Sequence, residues 1–348
     1  MNSGELNLKR VYEVQGRITQ LGYDKTSTKI IPPHSVLIGL AGQGKTRGTA
    51  AMNYVELCTN QSIASILPSD SFYSEFLYQN VESRYKELRD ISSGDGGRGG
   101  LNLQMIYNLY IPHCSMQEQK KIGDFLYLLD QRIAIQNKVI EKYESLIKAL
   151  TDKIVDDLLK GRMVPFNQMY IQAGEGGTPS TSVGQYYLNG TIPFVKIDDL
   201  SSKYLVKNKD FINDLGLSKS SAWLIPSNSV IYSNGATIGA ISINTYPVST
   251  KQGILGVVPA ADVNTEYLYY LMCSRYFSEQ VQRIIAEGTM KTAYLKDMNK
   301  IQCPLPSLRE QKRIVAGLSA LSSKLESELA ALLSYESIKR YLLINLFI

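Results

Sequence analysis

Histidine is nearly absent from this sequence: only His34 and His113 occur among 348 residues. Two histidines exclude most histidine-rich metal sites and leave no Ser/His/Asp or Cys/His arrangement to assemble. Cysteine is also scarce. Cys58, Cys114, Cys273 and Cys303 form no C-x-x-C pair, which points to free thiols in a reducing compartment rather than a disulfide framework. Long apolar runs are missing too. No segment opens like a secretory signal, and the C-terminal "RYLLINLFI" falls far short of the roughly 20 apolar residues that span a bilayer. A soluble, cytoplasmic protein with no membrane partner is expected. Charge of either sign is not dominant. The 37 Lys+Arg against 32 Asp+Glu give a net charge of +5, which permits a polyanionic partner without requiring one. The length fits about two domains, and an apolar fraction of 44% is ample for more than one core.

What is present is a repeat. "IPHCSMQEQKKI" from Ile111 aligns with "QCPLPSLREQKRI" from Gln302, so that Pro112 meets Pro304, Ser115 meets Ser307 and Glu118-Gln119-Lys120 meets Glu310-Gln311-Lys312. The same spacing pairs Tyr143-Glu144-Ser145 with Tyr335-Glu336-Ser337. Upstream, "IIPPHSVLIG" from Ile30 pairs with "LIPSNSVIYS" from Leu224, and "TNQSI" from Thr59 with "TKQGI" from Thr250. Fixed-period similarity of this kind marks a duplicated structural unit. Each copy reads as a β-rich globular part followed by a long helix.

The helices have clear starts. Ser115 and Glu118, like Ser307 and Glu310, have capping-box spacing. Downstream, apolar residues recur in steps of four and three: Ile122, Leu126, Leu129, Ile133, then Ile140, Tyr143, Ile147, Leu150 and Ile154. In the second copy the stripe is Ile314, Leu318, Leu321, Leu325, Leu332, Tyr335, Leu342 and Leu346. Sustained heptads favour pairing of the helices with each other. The connectivity makes that pairing antiparallel, with Gln136 and Glu328, repeat partners near mid-seam, helping to set register. The fold class is therefore α+β. In the globular parts, "SVLIGLAG" and "SVIYSNGATIGAISI" read as strands and turns. Thr265 to Ile285 and Ser69 to Leu88 each read as one surface helix.

"GLAGQGKT", Gly39 to Thr46, satisfies the phosphate-loop pattern. A working phosphate loop needs a helix opening at the Lys-Thr. Here "TRGTAAMNYVELCTN" places Gly48 soon after Lys45 and then runs into β-branched and turn residues. Its repeat partner, Ser233 to Ser242, keeps the turn glycines but has no Gly-Lys-Thr. A Gly-rich turn between two strands is expected, carrying Lys45 and Arg47. "GDGGRG", Gly94 to Gly99, follows a helix and so fails the dinucleotide context, leaving a loop bearing Arg98. Asp198-Asp199 reads as a turn, and Asp156-Asp157 as a solvated helix end. Two similar modules with cationic, Gly-bearing loops and a helical spacer of about 50 Å suit a reader of separated half-sites. A P-loop NTPase stays as the alternative.

These stretches, with "GEGGTPSTSVGQYY", "GTIPFVKIDDL" and the doubled P-x-x-S-x-x-E-Q-x-x-I, make the whole chain resemble the DNA-specificity subunit of type I restriction–modification systems. The resemblance implies a target-recognition domain at 1–114, a spacer helix at 115–160, a second target-recognition domain at 161–306 and a second spacer helix at 307–348. The two helices would form an antiparallel coiled coil. It further implies a non-catalytic chain that binds double-stranded DNA at a bipartite site and docks adenine-N6 methyltransferase and restriction/translocase subunits. S-adenosylmethionine, ATP and Mg²⁺ would belong to those partners. The DNA-contact candidates are Lys45, Arg47 and Arg98 in the first domain, and Thr178, Lys196, Lys251, Lys291 and Tyr294 in the second. One departure stands out: the first copy has 34 residues before Ser35 and lacks counterparts of "GGTPSTS" and "IPFVKIDDL". A shortened first domain, or a truncated stand-alone DNA-binding remnant, is the further expectation.

Overall fold

Val36-Leu37-Ile38 and the repeat partners Val230-Ile231-Tyr232 are buried on both faces, which makes them central strands rather than edges. The computed structural model describes residues 1–42, 46–92, 100–235, 237–287 and 292–347. It divides into unit 1, Met1–Val139 with Glu328–Ile348, and unit 2, Ile140–Ser327.

In unit 1 the strands are β1 (Arg10–Val11), β2 (Ile30–Ile31), β3 (Val36–Gly39), β4 (Ala50–Asn53), β5 (Leu57–Cys58) and β6 (Ile63–Ile66). The helices are α1 (Gln20–Asp24), α2 (Ser74–Ser83), α3 (Tyr85–Ile91), α4 (Leu103–Tyr107) and the first arm of α5 (Met116–Leu158). The main sheet has order β1-β4-β3-β6, with β1 parallel to β4 and the rest antiparallel; β2 pairs β5 separately. Alternation splits the core: Val36, Ile38 and Met52 face Leu77, Tyr78 and Val81 of α2, while Leu37 and Ala51 face Leu6, Val11 and Ile31.

Unit 2 repeats this plan with more strands: β7 (Met163–Pro165), β8 (Tyr170–Glu175), β9 (Ile192–Val195), β10 (Tyr204–Leu205), β11 (Asp210–Ile212), β12 (Val230–Ser233), β13 (Ile241–Asn244), β14 (Ser249–Thr250), β15 (Ile254–Pro259) and β16 (Gln302–Pro304). Its helices are α6 (Asp214–Ser218), α7 (Thr265–Cys273), α8 (Arg275–Glu287), α9 (Leu295–Met298) and α10 (Leu308–Asn345). The main sheet, β10-β13-β12-β15-β8, adds β8 beyond the strand that corresponds to β6; a second sheet has order β11-β9-β14, and β16 pairs β7.

A buried asparagine locks the same turn in both units. The Asn53 side chain accepts from the Ser35 amide at 2.8 Å and donates to the Pro32 and Val55 carbonyls. Asn244 repeats this with Ser229, Pro226 and Tyr246. The turn carries His34 and Asn228 at φ near +64° and +63°, a left-handed conformation that asparagine tolerates better than most residues.

The single surface helix expected over Thr265 to Ile285 is two helices, as is its partner over Ser69 to Leu88. Ser274 ends α7 with extended backbone, and its Oγ then accepts from the Phe277 amide at 3.3 Å as the cap of α8. Nor is the first of each pair a surface helix, for Leu268 and Leu271 are buried like Phe76 and Val81. Aromatic and aliphatic residues on several sides of these short helices give them more core face than an amphipathic surface helix presents.

The doubled helix start has a complete physical explanation. Ser115 Oγ accepts from the Glu118 amide while the Glu118 carboxylate accepts from the Ser115 amide at 3.2 Å; Ser307 and Glu310 repeat this. These serine hydrogen bonds hold both carboxyls below the usual glutamate range. The adjacent glutamines are buried. Gln119 accepts from the Tyr73 amide and donates to the Ser71 and Cys114 carbonyls. Gln311 does the same with Asn264, Asp262 and Pro306. Each glutamine thus ties its long helix to the loop that opens α2 or α7.

The long helices pair antiparallel. In unit 1, Gln136 donates to the Glu328 carbonyl at 3.0 Å, Arg132 lies over the Tyr335 ring at 5.2 Å, and Lys339 pairs with Asp130 at 2.5 Å and Glu82 at 3.1 Å. Falling numbers on α5 meet rising numbers on α10. In unit 2, Ile147, Leu150, Ile154 and Val155 share a core with Ile314, Val315 and Leu318. Lys339, which interrupts the apolar stripe, is therefore a buried ion-pair position. Burial pulls its ammonium down, but Glu82 and Asp130 outweigh that and hold it above the ordinary lysine value.

Candidate nucleic-acid interface

Four of the five candidates in unit 2 lie on loops at one end of its sheets. The chain leaves β8 as Gly176-Gly177-Thr178, and the Gly177 amide donates to Thr250 at 3.1 Å. Side chains do not fit here: a Cβ on Gly176 would meet the Thr250 carbonyl oxygen at 2.2 Å, and one on Gly177 the Ala222 nitrogen at 2.3 Å. Exposed Thr178 accepts through Oγ1 from the Gln252 amide at 3.3 Å, which sets it beside Lys251. The Lys251 amide donates to the Val195 carbonyl at 3.0 Å, bringing Lys196 to the same rim. Lys251 is exposed. Lys196 is half-exposed, with its ammonium 2.9 Å from Asp210, so it serves the β9–β11 junction before any ligand.

Tyr294 joins the rim through Asn234, a fully buried residue that the sequence reading did not single out. Asn234 donates through Nδ2 to Glu175 and to the Ala293 carbonyl, both at 3.0 Å, and its amide donates to Gly253 at 3.1 Å. One residue thereby fixes the ends of β8 and β12, the loop after β14 and the start of α9. The readable signal was polar Asn in "SNG", where the first copy has Leu40. Tyr294 is 40% exposed, and the Lys296 ammonium lies 5.8 Å from its ring centre. The rim thus offers a threonine hydroxyl, a free-standing ammonium chain at Lys251 and an aromatic face. Such groups suit phosphate and base edges better than bond-breaking chemistry.

In unit 1, Arg47 sits half-buried in the turn before Gly48, whose φ is +80°. Lys45, Arg98 and Lys291 lie outside the described residues, as does all of "GDGGRG". From Thr46 the chain turns directly into β4, which returns antiparallel along β3: Gly48 donates to the Gly39 carbonyl at 2.8 Å, and Gly39 to Thr49 at 3.0 Å. The motif's last residue therefore precedes a strand, whereas a phosphate loop needs a helix N-terminus there.

Polar clusters elsewhere hold the fold. Lys203 pairs with Glu266, and its ammonium donates to Tyr270 at 3.0 Å and Ser319 at 2.9 Å. Burial opposes the charges, but the pairing raises Lys203 and lowers Glu266 from their ordinary values. In unit 1, Arg10 bridges Glu75 at 2.6 Å and Asp130 at 3.1 Å. Among the described residues no group of three or more His, Cys, Asp or Glu side chains could hold a metal ion, and no helix is long and apolar enough to cross a membrane.

The family model described as the type I restriction modification DNA specificity domain matches residues 2–145 and 171–334. The chain belongs to the type I restriction–modification specificity family. Both matched stretches join a β-rich part to a long helix, as the repeat does. Among curated members, the chain is similar to the type I restriction enzyme MjaIX specificity subunit of Methanocaldococcus jannaschii, 28% identical over 156 residues, 44% of this chain and 36% of that protein. It is also similar to the EcoR124I/EcoR124II specificity subunit of Escherichia coli, 26% identical over 146 residues, 40% of this chain and 36% of that protein. These alignments span little more than a third of the relatives' length. The specificity-family fold extends over the whole chain. The S subunit of a type I system from M. genitalium superposes with a TM-score of 0.62 at 17% identity, covering 100% of this chain and 88% of that one. A chain from a study of complex assembly and conformational transition of the type I R-M system gives a TM-score of 0.62 at 15% identity, covering 99% and 90%.

Proposed function

We propose that this chain is the DNA-reading, non-catalytic subunit of a type I restriction–modification enzyme, and that the unit 2 rim reads one half of a bipartite site. The observation that carries the reading is the convergence of Thr178, Lys196, Lys251 and Tyr294 through direct backbone and Asn234 hydrogen bonds. Lys251 contacts phosphate and positions the rim, while Thr178 and Tyr294 meet base edges. The paired helices hold the unread gap and offer the docking face for adenine-N6 methyltransferase subunits, with restriction/translocase subunits added outside them. On this reading S-adenosylmethionine, ATP and Mg²⁺ are bound by the partners, and the cytoplasm is where the complex works.

Binding of the full chain, with its modification subunit, to duplex DNA over a series of salt concentrations tests the assignment. Lys251→Ala is expected to weaken binding similarly for all sequences and to lower the salt slope by about 1. Thr178→Ala is expected to relax preference at one position, at a cost of about 1–3 kcal/mol for the preferred site. Unchanged binding by the double variant removes the rim from the DNA interface. Mg-ATP binding abolished by Lys45→Ala would instead favour the NTPase alternative.

A further inference from the structure

Backbone hydrogen bonds fix the register between the two units. The Lys9 and Val11 carbonyls accept from the Met52 and Tyr54 amides, as those of Lys203 and Leu205 accept from Ile243 and Thr245. The Asn60 amide donates to Met1 at 3.3 Å, and the Lys251 amide likewise to Val195. Met1 to Val11 therefore occupy the places of Val195 to Leu205, and Tyr12 that of Val206. This corrects the sequence alignment, which left the first copy without any of "IPFVKIDDL": Val195 to Leu200 have counterparts in Met1 to Leu6. The same register reaches Thr19, which caps α1 as Asn213 caps α6. Exposed Ile18 thus matches buried Ile212.

In this register unit 1 carries five rings where unit 2 has none. Tyr12, His34, Tyr54, Tyr73 and Tyr127 stand at the places of Val206, Asn228, Thr245, Asn264 and Ser319. His34 and Asn228 share the left-handed turn, and Tyr54 and Thr245 follow the locking asparagine. The Tyr73 and Asn264 amides donate to Gln119 and Gln311, and Tyr127 and Ser319 lie on the long helices that those glutamines tie down. Unit 2 folds without the rings, so the fold does not require them. The long helix also makes room for one of them. A Cβ on Gly123 would lie 3.0 Å from the Tyr73 ring, and the second copy has Val315 there.

Four of these rings, His34, Tyr54, Tyr73 and Tyr127, line a pocket of about 480 Å³ together with Pro33, Met52 and Pro68. The fifth, Tyr12, stacks on Tyr54 with ring centres 4.4 Å apart, and His34 meets Tyr54 edge-on at 5.3 Å. The pocket lies at the ends of β3 and β4 opposite the Gly39 to Thr46 turn. Its charged lining group, Glu75, is held at both carboxylate oxygens by Arg10, at 2.6 and 2.7 Å. The Arg10 guanidinium also lies 4.5 Å from the Tyr127 ring centre. The cation that an aromatic cage attracts is therefore already in place. Among the described residues no lysine or arginine lines the pocket, so nothing there neutralises a phosphate backbone. β3 and β4 each have a paired strand on both sides, which leaves no edge for an added strand. The occupant that fits is an uncharged chain read by flat ring faces. Polyproline II is such a chain: it makes no internal hydrogen bonds, and its rings dock in aromatic-lined grooves.

We propose that the ring pocket of unit 1 binds a proline-rich segment of a partner protein in the polyproline II conformation. Proline rings of the segment pack on Tyr54, Tyr73 and Tyr127, and exposed His34 closes over one side. A segment already extended in this conformation loses little entropy on docking. Unit 2 lacks the rings, so the pocket distinguishes one end of the duplicated chain from the other. The inference concerns unit 1 and stands whether or not the rim of unit 2 binds DNA.

A ten-residue oligoproline peptide, titrated into the full chain with isotope-labelled tyrosine rings and followed by nuclear magnetic resonance, is the test. Saturable binding at about 100 μM or tighter is expected, with shifts at Tyr54, Tyr73 and Tyr127 and none at Tyr232 or Tyr267 of unit 2. The variants take the residues that unit 2 already accommodates. Tyr73→Asn is expected to weaken binding at least about tenfold. His34→Asn, at an exposed position, should weaken it in the same direction with the circular dichroism unchanged. Absence of saturable binding, equal binding of a Gly/Ser peptide of the same length, or full-strength binding by both variants overturns the proposal. So does saturation of the same rings by tetramethylammonium or by a single-stranded oligothymidine in place of oligoproline, which would assign the pocket to a cation or a base.

Discussion

Unit 1 and unit 2 are two versions of one design, and they differ in how completely their sheets are closed. The shared parts are the turn locked by Asn53 or Asn244, the buried helix under the sheet and the glutamine that ties the long helix to it. The differing parts are the β7–β16 pair, β8, β9 and the loop between β8 and β9. The glutamine and the capping box that hold a globular part to its helix are present twice, whereas the strands that carry the Thr178 rim are present once among the described residues. Attachment to the long helix and the strands of the rim are therefore separable layers of this fold. The attachment layer also varies in its ion pairs: unit 2 uses Lys203 with Glu266, and unit 1 uses Arg10 with Glu75 and Asp130.

The largest effect that would sharpen this comparison comes from the ion pairs. Lys203→Ala leaves the Glu266 carboxylate without its cation and is expected to destabilise unit 2 by about 3 kcal/mol, measured by denaturant unfolding followed by hydrogen exchange in each unit. The pair's stabilisation should also depend on pH. Glu266 is lowered, so its contribution is present above about 4.3 and lost as pH falls through the folded value; Lys203 is raised, so its contribution is present below about 10.4 and lost as pH rises through the folded value. Loss of unit 2 stability between pH 5 and 9, with both groups charged, would contradict it.

Ile212→Ala against Ile18→Ala is the next comparison. The first is expected to cost about 2–4 kcal/mol because the side chain is fully buried. The second, at an exposed counterpart, should stay within about 0.5 kcal/mol. Equal costs would mean that Ile18 is covered and the two units are alike. Gln311→Ala and Gln119→Ala should each cost about 2 kcal/mol, since each orphans one buried amide and two carbonyls. The smallest effect is expected from Ser307→Ala and Ser115→Ala, about 1 kcal/mol each, as loss of a helix cap.

Much of this was legible in the sequence because the duplication doubled every signal. The capping boxes, the antiparallel seam and the Gln136–Glu328 pair follow from residues whose local chemistry dictates their structure. The Gly39 to Thr46 loop was legible as a strand-to-strand turn for the same reason: its repeat partner lacks the nucleotide chemistry. What was hidden depended on tertiary hydrogen bonds. Asn234, Asn53 and Gln119 were not read as hubs, since most of the groups they bond lie far away in sequence. The counterpart of Val195 to Leu205 at Met1 to Val11 was also hidden, because only Glu5, Leu6, Lys9, Val11 and the backbone pairing keep the pattern of Asp199, Leu200, Lys203 and Leu205 while other residues diverge. The rim was read only as a set of residue types, and Lys196 shows the limit of that, since its charge is engaged by Asp210.

The most direct test is methylation mapping in a host that expresses the chain with its modification subunit, with and without Thr178→Ala and Lys251→Ala together. The expected result is N6-methyladenine in a sequence-defined motif, with the double variant weakening or relaxing one half of it and leaving the rest unchanged. Absence of any sequence-defined methylation, or a motif that the double variant leaves intact, would contradict the assignment of the unit 2 rim as a reader of DNA.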